Sequence, residues 1–186
     1  MEQIACVALA EIGNPKPPID LAPLARIFDC DIQFTYLNGP EGYTVRTGTG
    51  YHIYIATDLE GDPQTVHRRQ RWTLAHELSH VIAHWNLPWN TTKTLDRVSR
   101  GLLNILEVEA NWCASRLLIP DYCFETLEDL IPSYLAEKCD VNFTPASKRI
   151  EHLSWRVRNR LQALIPVPLE RAAAYLFFKD TGSFSS

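Results

Sequence analysis

The chain has 186 residues, 46% hydrophobic and 22% charged, which suits one ordinary globular domain able to bury a core without covalent staples. A net charge of −4 and a pI of 5.8 exclude a strong overall field drawing the protein to nucleic acid or anionic lipid. The five cysteines (Cys6, Cys30, Cys113, Cys123 and Cys139) form no CxxC pair, so reduced thiols are expected rather than a disulfide framework.

The N-terminus, MEQIACVALAEIG, lacks the basic start and apolar core of a secretory signal. No apolar stretch reaches the roughly 20 residues of a membrane span, so the expected location is the cytoplasm. Residues 2–12 read as a short amphipathic helix stopping at Gly13, followed by the rigid loop Asn14 to Pro18. Asp20 is placed to cap a second helix, Leu21 to Phe28, with Pro23 in its first turn. Asp31 to Leu37, Tyr43 to Arg46 and Tyr51 to Thr57 read as strands separated by the turn signals Asn38-Gly39-Pro40 and Gly48-Thr49-Gly50. A small antiparallel sheet is expected from them.

From Val66 the pattern is helical to His84, and a loop with Pro88 and Asn90 follows. A second long helix is expected from Leu102 to Ile119, ending at Pro120, with shorter helical pieces and then a long helix from Ala146 to Leu164. The order of elements gives an α+β class. The expected organisation is a core over 1–120, a helical C-terminal subdomain over 121–165 packed on it, and a tail over 166–186 with a frayed end after Lys179.

His76-Glu77-Leu78-Ser79-His80 is an HExxH sequence. Residues four apart share a helix face, so both imidazoles can grip one Zn²⁺. Glu77, about 100° round from His76, can take a proton from water that the metal acidifies. The alternative is a chance HExxH on a surface helix. Its flanks, Leu74, Ala75, Leu78, Val81 and Ile82, are apolar, and two histidines and a glutamate on an inward face are costly unless something ligates them.

A catalytic zinc site needs a third protein ligand. The metzincin pattern would need Gly and His where Ala83 and Asn86 stand. The remaining choice is a carboxylate from the second long helix, Glu107 or Glu109. With Glu107 at zero and about 100° per residue, Asn111, Ala114, Leu118 and Leu103 cluster around it, making one apolar or small face. Glu109 falls beside Arg116 on what reads as a solvated face. Glu107 is therefore the expected ligand, and Asn111 the residue that hydrogen-bonds a ligand from behind.

The stretches RQRWTLAHELSHVIAH (Arg69 to His84) and EVEANWCASRLLIP (Glu107 to Pro120) resemble the two motif helices of the ImmA/IrrE family of zinc metallopeptidases. With the helix at Ile19-Asp20-Leu21 and the strand cluster, the resemblance covers roughly residues 1–165. It implies zinc (or manganese) on His76, His80 and Glu107, Glu77 as general base, and cleavage of helix-turn-helix repressors of mobile elements or stress regulons. Ser79, Cys113 and Ile119 stand where the family pattern has Gly, Phe and Met, all packing positions. No N-terminal stretch here resembles the DNA-binding domain fused to some members, so a peptidase domain alone is expected.

His84 extends the histidine face by a turn and reads as a packing or supporting residue, being too far along the axis to share one metal with His76. Tyr43, Tyr51, His52, Tyr54, Tyr134 and His152 are open candidates for an oxyanion donor. Residues 145–162 hold an apolar stripe (Ile150, Leu153, Val157, Leu161) and a basic one (Arg149, Arg156, Arg160). The basic stripe is either a solvated face or a recognition surface, and residues 135–153 faintly look like a helix-turn-helix. Three functions therefore compete. One is a metallopeptidase whose partner is a DNA-binding repressor. A second is a metal-binding module that sequesters a regulator without cleavage. The third is a regulator that binds nucleic acid through 145–162. Glu77 favours the enzyme, since a scaffold needs no general base.

Overall fold

The structure, a computed structural model, describes residues 1–85 and 99–165. The loop with Pro88 and Asn90 and the tail over 166–186 lie outside the described residues. The elements run α1 (Glu2–Glu11), α2 (Ala22–Ile27), β1 (Cys30–Thr35), β2 (Gly42–Arg46), β3 (Tyr51–Ala56), α3 (Pro63–His84), α4 (Arg100–Leu118), α5 (Pro132–Cys139), α6 (Phe143–Glu151) and α7 (Trp155–Gln162). Two single 3-10 turns, Asp121–Cys123 and Leu127–Leu130, sit between α4 and α5. The class is α+β, and no described helix is long and apolar enough to cross a membrane.

The sheet is mixed, with order β1-β3-β2, which corrects the antiparallel expectation. β2 and β3 form the expected hairpin, closed where Thr47 N–H donates to Gly50 O at 2.8 Å. β3, however, inserts between β2 and β1 and runs parallel to β1. The cause lies in side-chain character. β3 buries Ile53, Ile55 and Ala56, so it takes the centre, where both backbone edges are paired. β1 and β2 carry Asp31, Gln33, Thr44 and Arg46, which edge strands tolerate.

α3 begins at Pro63, three residues before the apolar periodicity does. Asp62 caps it, its side chain accepting from the amides of Gln64 (3.1 Å) and Thr65 (3.0 Å), with Pro63 in the first turn. The helix lies across the sheet on Ile53 and Ile55 and packs along α4. Small residues, Ala75 and Ser79 on α3 and Ala110 and Ala114 on α4, are fully buried and let the two axes approach. Ser79 turns its hydroxyl back onto Ala75 O at 2.7 Å, so the serine adds no unsatisfied polar group to the contact. One hydrophobic cluster runs from Ala5 and Leu9 through α3 and α4 to Leu153, Val157 and Leu161.

The long helix expected from Ala146 to Leu164 is two helices, α6 and α7, broken at His152–Ser154. Ser154 adopts an extended conformation and caps α7, accepting from Val157 N, while its own hydroxyl donates to Asp121 Oδ2 at 2.7 Å. Leu153, Val157 and Leu161 are buried, so the apolar stripe survives the break.

The basic stripe survives as a surface only in part. Arg149 is 1% exposed, and its guanidinium reaches Ile119 O (2.9 Å), His152 O (3.2 Å) and Asp121 Oδ1 (2.5 Å). Arg160 donates to the carbonyls of Asp121 and Phe124. Both readings of the stripe, solvated face and recognition surface, therefore fail for Arg149, while Arg160 is exposed and part of its guanidinium is tied to these carbonyls. Arg156 is exposed as well.

Candidate metal centre

α3 presents His76 and His80 one turn apart, and α4 brings Glu107 opposite them. His76 Nε2 and His80 Nε2 are 3.1 Å apart, Glu107 Oε2 is 3.1 Å from His76 Nε2, and Glu107 Oε1 is 3.4 Å from His80 Nε2. Ligand atoms about 2.0–2.1 Å from a tetrahedral zinc stand about 3.3 Å from one another. The three groups therefore already have the spacing of one face of such a tetrahedron. Among the described residues they are the cluster of three or more His, Cys, Asp or Glu side chains that converges in this way. Two nitrogens and one carboxylate oxygen are a donor set that suits zinc.

The electrostatics follow from that crowding. Burial opposes a charged His76, but the hydrogen bond to Glu107 and the charge of Glu77 outweigh it and raise the imidazole's pKa. Hydrogen bonds from His76 and His80 hold the Glu107 carboxyl far below the usual carboxylate range.

Each imidazole is also held from behind. His76 Nδ1 lies 3.2 Å from Asn111 Oδ1, and Asn111 Nδ2 donates to Glu107 O at 2.9 Å. The amide's donor side is thus used on α4, and its oxygen is left to accept from His76 Nδ1–H. His80 Nδ1 lies 3.2 Å from His84 Nδ1, and His84 Nε2 lies 3.1 Å from Glu109 Oε2. His84 is buried, and that burial, foremost among its influences, lowers its pKa.

Glu109 therefore does not sit with Arg116 on a wet face. The buried residues of α4 are Leu106, Ala110, Cys113, Ala114, Arg116, Leu117 and Leu118. On a wheel of about 100° per residue, Glu107 and Glu109 fall towards opposite edges of that arc. Arg116 is itself 5% exposed, ion-paired with Glu2 of α1 and stacked on Trp112 at 4.2 Å. A cation on the supposed solvent side misled the expectation, because its partner is more than a hundred residues away in the chain.

Glu77 is buried beside His76, and Thr44 of β2 donates its hydroxyl hydrogen to Glu77 Oε2 at 2.7 Å. Nothing in the sequence marks Thr44, because only the fold brings β2 against α3. Thr44 and Ile53 are cross-strand partners on the sheet face that meets α3. By alternation, Tyr43, His52 and Tyr54 lie on the other face, where Tyr43 stacks on Tyr54 (4.8 Å) and His52 pairs with Asp31 (3.1 Å). This removes all three as oxyanion donors. His152 stacks on Trp112 and lines, with Trp72 and Asn111, a cleft of about 500 Å³ that shares Asn111 with the centre.

The profile of a peptidase family described as IrrE N-terminal-like domain matches residues 29–151. Among solved structures, a Mycobacterium tuberculosis transcriptional regulator superposes with a TM-score of 0.59 at 19% identity, over 85% of this chain and 50% of that one. At that identity the likeness is one of fold, and this chain spans half the regulator's length. No match is found among curated proteins.

Proposed function

We propose that this chain, which belongs to the IrrE N-terminal-like domain family of peptidases, is a zinc-dependent endopeptidase. In this reading His76, His80 and Glu107 hold the metal and Glu77 is the general base. The observation that carries it is the convergence of three ligand atoms next to a carboxylate that Thr44 holds in place. A zinc ion there supplies a Lewis acid that polarises a peptide carbonyl and acidifies water. Glu77 takes the proton from the attacking water and passes it to the leaving amine nitrogen. Thr44 occupies Oε2, which directs Oε1 to that transfer. Asn111 keeps the His76 ring turned with Nε2 forward.

The proposed substrate is a helix-turn-helix repressor of a stress or mobile-element circuit, as the family resemblance implies, and the proposed compartment is the cytoplasm. A sequestering module would have no use for a buried, hydrogen-bonded Glu77, and a nucleic-acid regulator would have to act without Arg149, which serves the interior. The test is to incubate the zinc-loaded protein with the helix-turn-helix repressor encoded beside its gene. A discrete cut, lost in Glu77→Gln, supports the reading. A cut that persists in Glu77→Gln at the wild-type rate overturns it, as does failure of the folded protein to take up zinc.

A further inference from the structure

We infer that the cleft beside His76 is a substrate subsite for a large apolar side chain next to the scissile bond, and that Trp112 and Val108 set that preference. The inference rests on the reading of His76, His80 and Glu107 as zinc ligands and deepens it by naming the class of residue the site selects.

The place of the cleft follows from helix periodicity. On α3, Trp72 stands four residues ahead of His76, on the same face and about 6 Å along the axis. On α4, Val108 adjoins Glu107, and Asn111 and Trp112 follow one turn on. Both helices thus lead from the ligands into the cleft. Asn111 belongs to both places, its Oδ1 3.2 Å from His76 Nδ1 and its side chain in the cleft wall. A peptide residue held at the metal position needs only a side chain of ordinary length to enter, and a space of about 500 Å³ is ample for it.

The walls select an apolar occupant. Trp72, Val108, Trp112 and Pro145 supply ring and hydrocarbon surface, and Val108 and Trp112 are 55% and 40% exposed. Trp112 is presented rigidly, with the Arg116 guanidinium 4.2 Å from its ring and the His152 ring 5.1 Å away, so this wall needs little ordering on binding. The charges of the lining are spent on one another. Arg116 pairs with Glu2, and Arg149 with Asp121 and Glu2, both arginines being buried. Lys148 and Glu151, exposed and three residues apart on α6, bring opposite charges to the cleft. A charged side chain entering here would lose water without gaining a net attraction, whereas an apolar one gains by burial.

The test needs no turnover. It uses the zinc-loaded full chain and two small hydroxamates, which chelate zinc and differ only in carrying a methyl or a benzyl group on the carbon β to the chelating carbonyl. Isothermal calorimetry gives both affinities, and their ratio cancels any change in zinc occupancy. Wild type should favour benzyl by about 10- to 100-fold, the gain from burying an aromatic side chain. Val108→Trp fills the cleft and should bring the ratio near unity. Trp112→Ala removes a wall and should lower the ratio by about 5- to 10-fold. Val108 is exposed on α4, so its replacement answers the question even if Trp112→Ala does not fold. A wild-type ratio near unity with both compounds bound, or a benzyl preference that survives in either folded variant, would overturn the subsite. Failure of the wild-type chain to bind zinc, or to bind either hydroxamate, would instead overturn the reading of an open zinc centre on which it rests.

Discussion

Thr44 on β2 donates its hydroxyl hydrogen to Glu77 Oε2 at 2.7 Å, joining an edge strand to the helix that carries the proposed base. A hydrogen bond to a charged group contributes about 1.5–3 kcal/mol, so Thr44→Val should lower kcat by roughly 10- to 100-fold while leaving KM and zinc affinity near wild type. Steady-state kinetics on a cleavable protein substrate measure this. A kcat within twofold of wild type would show that Thr44 does not hold the base.

Removing the base and removing the ligand should separate cleanly. Glu77→Gln keeps the shape of the site and should abolish cleavage while retaining one metal per chain. Glu107→Gln should lose both, since it takes away one of three ligands. Metal analysis after reconstitution, alongside circular dichroism, checks the pair.

Gly42 sets how closely β2 approaches α3. A Cβ there would stand 2.5 Å from the Thr73 methyl and 2.8 Å from the carbonyl oxygen of Tyr54. The methyl can rotate away, but the carbonyl belongs to the β3 backbone, so β2 must shift. Gly42→Ala should cost about 1–3 kcal/mol of stability, as overpacking does, and should lower activity by displacing Thr44 two residues on. Chemical denaturation and kcat on the same sample test both halves.

The arginines of the C-terminal helices should respond unequally. Arg149→Ala removes a fully buried cation that faces Asp121 and should cost about 3–5 kcal/mol. Arg156→Ala, on an exposed side chain, should stay within about 0.5 kcal/mol of wild type. Equal losses in urea unfolding would contradict the buried placement.

Asp129 gives a signature at acid pH. Burial pushes its pKa up, but Lys138 Nζ at 2.7 Å and the amides of Thr126 and Glu125, both at 2.8 Å, outweigh that and hold it below the ordinary value. A carboxyl whose folded pKa is depressed stabilises the fold above its unfolded pKa, about 3.9, and loses that contribution as pH falls through the folded value. The stability gap between wild type and Asp129→Asn should therefore be constant above about pH 5 and shrink as pH drops below about 4. Denaturant melts across that range decide the matter.

What could be read from the residues was what depends on local periodicity. His76, Glu77 and His80 share one helix, and the i, i+4 relation needs no tertiary knowledge. The same periodicity set Glu107 and Asn111 together on α4, but it took Glu107 for the inward acid, whereas its side chain is 55% exposed against 39% for Glu109, because both lie at the edges of the buried arc. What could not be read depends on partners distant in the chain. The charges of Arg149 and Arg116 argued for the surface, and only Asp121 and Glu2 turn them inward. The break at His152–Ser154 was hidden because Leu153 continues the apolar stripe across it. The strand order was invisible because pairing parallel to β1 requires β3 to enter after β2 has already passed. Thr44 carries no motif at all.

Asp121 follows the end of α4 directly, after Ile119 and Pro120. Its two carboxylate oxygens take Arg149 and Ser154, and its carbonyl takes Arg160 at 2.6 Å. One residue is thus bonded to α6, to the cap of α7 and to the last turn of α7. Segments tied to a single point cannot loosen one at a time. In native-state amide exchange, α6, α7 and the final turn of α4 should open as one cooperative unit with a shared protection free energy. Asp121→Ala should lower that protection in all three together, and the disturbance should travel down α4 towards Glu107, rather than fraying α7 alone.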